Sequence, residues 1–137
     1  MVISLFSISM ASAAEISLDA PPEVILGENF SVKLNYDSTE TLDVKIAIQN
    51  NNSAIFSNIY NKGWKSSFYY LIEAFPQSSE FILRAVKSGG KFDLCVKLRK
   101  GKETLKDKFC REITVKNKSQ DLAGIPENIS AQADATL

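Results

Sequence analysis

Two consecutive segments in the first third of the chain alternate apolar and polar residues with a period of two. Phe30, Val32, Leu34 and Tyr36 fall on one side of the first, with Asn29, Ser31, Lys33 and Asn35 on the other. Leu42, Val44, Ile46 and Ile48 of the second are set against Asp43, Lys45 and Gln49. Successive side chains of an extended strand point to opposite faces, so this pattern predicts strands with one buried and one wet face. Such strands belong to an antiparallel sheet that covers a core on one side only. No stretch sustains a helical period.

The same reading extends along the chain. Glu15–Leu18 and Glu23–Leu26 are expected strands separated by Pro21-Pro22, which suits edge positions where a missing N–H breaks no ladder. Ala54–Tyr60, Ser67–Ile72 and Glu80–Val86 follow, with Leu71–Phe75 as an alternative helical turn ended by Pro76. Lys91–Arg99 and Lys106–Lys116 are expected to close the domain as a hairpin. That makes about eight strands, with turns at the spacing of a β-sandwich.

Cys95 and Cys110 sit in that final hairpin on the polar rows, Cys95 among Asp93, Lys97 and Arg99, Cys110 among Lys108, Glu112 and Thr114. Their parity predicts a bridge on the outer face of one hairpin, closing a loop of 14 residues. In the chain-entropy description that closure is worth about 3 kcal/mol. Paired thiols imply an oxidising compartment.

The N-terminus agrees with export. Val2–Met10 is apolar except for serines, and Ala11-Ser12-Ala13 offers the small-x-small pattern of a signal peptidase site. Residues 1–14 are therefore expected to be a signal peptide. No basic residue precedes the run, which leaves an upstream start or a strand-like arm as alternatives. The run is too short to span a bilayer, and no transmembrane segment is expected elsewhere. Residues 15–116 are read as one domain. Residues 117–137 are rich in Ala, Ser, Asn and Asp, have few large apolar groups, and are read as a linker or disordered tail.

Sixteen basic residues balance sixteen acidic ones, so no global attraction to nucleic acid or anionic lipid is expected. The distribution is uneven. Seven acidic residues between Glu15 and Asp43 face only Lys33, whereas nine basic residues between Lys97 and Lys118 face Glu103, Asp107 and Glu112. Either the two regions compensate each other, or the basic strip docks an acidic partner.

Enzymatic chemistry finds little support. There is no histidine, no nucleophile elbow, no phosphate-cradling glycine loop and no carboxylate spacing of a calcium loop. No metal, cofactor or catalytic residue is expected. The densest candidate surface is aromatic: Tyr60, Trp64, Phe68, Tyr69 and Tyr70 lie close in sequence beside Asn58, Asn61 and Lys62. These rings serve either core packing, with Trp64 capping an end of the sandwich, or contact with a sugar or protein. Tyr60, Trp64 and Tyr69 are the expected ligand contacts. Of the N-x-Ser sequons, at Asn29, Asn51, Asn117 and Asn128, those at Asn51 and Asn117 are the plausible glycan acceptors.

The proline-rich first strand, Gly27-Glu28-Asn29-Phe30, the passage from Tyr60 to Trp64, and Asp93-Leu94-Cys95-Val96 with Cys110-Arg111-Glu112-Ile113-Thr114-Val115 form a recognisable set. In these the chain resembles immunoglobulin-like β-sandwich modules of archaeal-type and bacterial cell-surface proteins. The resemblance covers Glu15 to Lys116 and implies an all-β, immunoglobulin-like antiparallel sandwich of 7–8 strands with a disordered C-terminal tail. It departs from antibody-type domains, whose cysteines bridge the two sheets internally. It implies an exported, non-catalytic module, secreted or at the cell surface, monomeric or part of a larger assembly. Its role would be adhesion or adaptor binding to a surface protein or cell-wall glycan, or that of a purely structural spacer.

Overall fold

The computed structural model describes residues 15–102 and 104–118. The expected signal peptide lies outside them, as does the expected tail except for Asn117 and Lys118. Ten strands occur in chain order: β1 (Ile16–Asp19), β2 (Glu23–Ile25), β3 (Asn29–Tyr36), β4 (Leu42–Gln49), β5 (Ser57–Tyr60), β6 (Trp64–Ser66), β7 (Leu71–Phe75), β8 (Glu80–Ala85), β9 (Gly90–Lys100) and β10 (Thr104–Lys116). The first sheet runs β1-β3-β8-β5-β6 and the second β2-β10-β9-β4-β7. Together they form an all-β sandwich. All strand pairs are antiparallel except β2 with β10, which run parallel.

Period two explains the layering. Phe30, Val32 and Leu34 of β3 and Phe81, Leu83 and Ala85 of β8 face inward from the first sheet. Leu42, Val44, Ile46 and Ile48 of β4 meet them from the second, with Leu94, Val96 and Leu98 of β9 and Ile113 and Val115 of β10. These side chains form one core, and the removal of their apolar surface from water is the main stabilising term. The proline segment carries the chain from one sheet to the other, leaving β1 and β2 as edge strands of different sheets. Gly27, at φ +87°, turns β2 into β3, and its N–H donates to the Ala85 carbonyl at 3.0 Å. Only glycine takes that conformation without steric cost.

The expected strand Ser67–Ile72 does not form. Residues 67–70 are a turn joining β6 on an edge of the first sheet to β7 on an edge of the second. Leu71–Phe75 is a strand, not a helical turn, because Leu71 and Phe75 pair with Val44 and Leu42 of β4 and bury there. The spacing is irregular: Leu71 to Phe75 faces the shorter interval Leu42 to Val44. The extra residues of β7 bulge, with Glu73 at φ +54°. The expected strand from Ala54 begins only at Ser57, after an isolated bridge from Ile55 to Gln49.

Candidate functional site

The segment between β6 and β7 is fixed at both ends and exposed in the middle. Ser67 is fully buried; its N–H donates to the Ser57 carbonyl at 3.2 Å, and its hydroxyl oxygen accepts from the Ser57 hydroxyl at 2.9 Å. The Ser57 oxygen in turn accepts the Ile48 N–H at 2.9 Å, joining the two sheets through a buried polar chain. Leu71 enters the core on the other side. Between these fixed points Phe68 is 57% and Tyr69 66% exposed, their rings edge-on with centroids 5.1 Å apart. A strand over Ser67–Ile72 would turn one of Phe68 and Tyr69 inward. Both escape because the backbone turns here and period two no longer applies.

Tyr69 and Tyr70 line a cleft of about 550 Å³ with Asn61, Lys65, Ser66, Leu71 and Ile72. It combines aromatic and aliphatic walls with amide, hydroxyl and ammonium groups, the mixture that suits a small polar ligand or a partner's side chain. Tyr60 and Trp64 lie apart from it. They face each other across the β5–β6 hairpin, rings 5.4 Å apart, on the outer face of the first sheet. The Arg84 guanidinium stacks on Trp64 at 4.0 Å. Trp64 therefore does not cap an end of the sandwich; its register with Tyr60 holds it on a strand face. Of the three expected contacts the fold brings Tyr60 and Trp64 together and sets Tyr69 on the turn.

The outer face of the second sheet carries a second constellation. Asp43, on the polar side of β4, is nonetheless 4% exposed. Its Oδ2 accepts from Arg99 Nε at 2.8 Å and its Oδ1 from the bulged Glu73 N–H at 2.8 Å. Arg99 also stacks on the Tyr70 ring at 3.8 Å. Two residues along, Lys45, Lys97 and Lys108 stand directly opposite one another across β4, β9 and β10. Lys45 lies 4.8 Å from the centroid of Phe68, and burial, then the neighbouring Lys97 charge, lowers its pKa. None of the three lysines has a carboxylate within 4.0 Å among the described residues.

In the next row, Ala47, Cys95 and Cys110 are aligned, and Cys95 and Cys110 form a disulfide with Cα atoms 4.1 Å apart. The expected outer-face, same-hairpin bridge is present. Cys110 is exposed, but Cys95 is buried, because strands flank it on both sides and the bridge and Ala47 cover it.

Asn51 lies exposed in the turn before β5. Asn117 is partly buried, and its Oδ1 accepts the Gly89 N–H at 3.2 Å. Among the described residues no three His, Cys, Asp or Glu side chains are placed to hold a metal ion.

Sequence reasoning missed Ser67, Asp43 and Arg99. Ser67 is one serine in a polar run, and nothing local marks it as buried. Asp43 and Arg99 occupy ordinary outward positions, and only the register that aligns them reveals the pair.

No family model matches the chain, and no curated protein matches it. Among solved structures it is similar to a lipoprotein from Bacteroides thetaiotaomicron, at TM-score 0.49 and 12% identity over 83% of this chain and 87% of that one. It is similar to the SrpA adhesin of Streptococcus sanguinis, at 0.46 and 6% over 81% of this chain. A family 76 glycoside hydrolase from a bovine Bacteroides thetaiotaomicron strain gives 0.49 and 14% over 74% of this chain. The chain spans 20% of the hydrolase and 62% of the adhesin.

Proposed function

We propose that this chain is an exported, non-catalytic, immunoglobulin-like surface module that binds a partner, as an adhesion or adaptor domain, at the edge of the sandwich where β6 passes to β7. The carrying observation is the Phe68–Tyr69 pair, held out to solvent by buried Ser67 and Leu71 beside the Tyr69–Tyr70 cleft. A chain that had only to fold would bury such rings, since each removes a large apolar area from water. Holding them outward on a fixed turn pre-orders a contact surface and lowers the entropy lost on binding. Tyr60 and Trp64 extend the surface onto the first sheet, and Asn51 and Asn117 are its proposed glycan acceptors. The outer-face disulfide supports an oxidising location.

The test is binding of the purified protein to isolated cell-wall glycan and to surface protein extract, compared with Tyr69→Ala and Trp64→Ala. Loss of about tenfold in affinity for either variant, with an unchanged melting temperature, supports the aromatic surface. Equal binding by wild type and both variants removes it, and absence of any binding leaves the structural spacer as the reading.

A further inference from the structure

In the lysine row on the second sheet only Lys45 has internal partners, the Phe68 and Tyr70 rings at 4.8 and 5.9 Å. Like charges placed directly opposite on neighbouring strands repel, and Lys45, Lys97 and Lys108 do so on three strands in succession. No carboxylate among the described residues lies within 4.0 Å of their ammonium groups, and Asp107, beside Lys108, accepts the Lys108 backbone N–H at 2.9 Å. The nearest acidic groups on their face in register are Asp43, committed to Arg99, and Asp93 with Glu112 beyond the disulfide row. Asp93 and Glu112 stand four residues along, about 14 Å away at strand rise, outside the screening length of about 8 Å at physiological salt. The three ammonium groups thus form a local positive strip about 10 Å across, set by the spacing of neighbouring strands.

The strip continues into different chemistry. Past Lys45 comes the exposed ring of Phe68, and Phe68 borders a cleft of about 430 Å³ that includes Ser53, Asn58, Ser66 and Lys87. In order, the surface offers cations for acidic groups, a ring for a C–H-rich face, and hydroxyl and amide groups for neutral hydroxyls.

We infer that the Lys45–Lys97–Lys108 row with Phe68 is a binding strip for an anionic polysaccharide lying across the strands. Charge complementarity requires a polyanion, and the neighbouring ring with its cleft, where the Ser53, Ser66 and Asn58 groups lie among apolar Ala54, Ile55 and Val86, suits the apolar faces and free hydroxyls of sugar rings. A flat anionic membrane resting on this face would also meet Asp93 and Glu112, whereas a chain following the row meets only the lysines. The inference names a ligand class for the binding module proposed above and shares Phe68 with it, but its lysines lie on the second sheet, so the Lys97–Lys108 double variant and the Tyr69→Ala and Trp64→Ala variants report on the two proposals separately.

The experiment measures affinity for polygalacturonate and dextran sulfate at low and high salt, with neutral dextran, poly-glutamate and phosphatidylglycerol vesicles as comparisons. Binding of at least one charged polysaccharide, not of dextran, is expected, weakening as salt rises. Lys97→Gln with Lys108→Gln should reduce that affinity on the order of tenfold. The same double variant should melt at a higher temperature, because its repulsion is relieved. A purely structural role for the lysines would not combine these two results. Undiminished binding by the double variant, no binding of either charged polysaccharide, or equally tight binding of poly-glutamate or vesicles would overturn the inference. The Tyr69→Ala measurement reports on the aromatic edge whichever of these results is found.

Discussion

Asp43 and Arg99 stand opposite each other on β4 and β9, with Oδ2 and Nε 2.8 Å apart, and their pairing fixes the edge that carries the aromatic surface. Asp43 also takes the Glu73 N–H that the bulge in β7 removes from the ladder, and Arg99 supports Tyr70. One carboxylate thereby connects a core strand, an irregular edge strand and the wall of the cleft.

Asp43→Ala should lower stability by about 2–3 kcal/mol, because it orphans the Glu73 N–H and leaves a partly buried guanidinium unpaired. Urea denaturation measures it. A loss below about 0.5 kcal/mol would show that the pair behaves as an ordinary surface ion pair.

Cys95→Ala with Cys110→Ala should cost about 3 kcal/mol through the freed unfolded chain. The wild-type protein should gain the mass of a pair of hydrogens when reduced. A free-thiol signal from the folded, unreduced protein would remove the bridge.

Much of this is legible in the sequence. The limits of β3 and β4 match the alternation residue for residue, and the cysteine parity placed the bridge on its face and hairpin. The stretch from Trp64 to Phe75 was not legible. Its consecutive aromatics mimic strand composition, while buried Ser67 and the bulge at Glu73 divide it into strand, turn and strand.

Ser67→Ala should destabilise by about 1–2 kcal/mol, since the buried Ser57 hydroxyl loses its acceptor. Hydrogen exchange of the Phe68–Tyr70 amides should quicken more than that of β4. Uniform change across both segments would show that Ser67 does not hold the turn.

Lys45 titrates below the ordinary lysine value, so just under that value the unfolded chain binds more protons than the folded one. Stability therefore rises with pH through that window as the partly buried charge is relieved. The slope should be shallower in Lys45→Gln than in wild type just under the ordinary lysine pKa of about 10.4. Identical slopes in thermal melts would show that Lys45 is solvated as freely as any surface lysine.

By itself the sequence determined the clearly alternating strands, β3 and β4 above all, and their inward faces, because apolar spacing of two has one extended solution that buries it. It also determined the chemistry of the cysteines, since their place among charged residues put both on an outer row. Apart from the β9–β10 hairpin, the tertiary structure decided which strands are neighbours. That choice aligned three lysines from β4, β9 and β10, matched Asp43 to Arg99, and turned Phe68 and Tyr69 outward. Each of these depends on residues far apart in the chain, and local periodicity carries no information about register between strands.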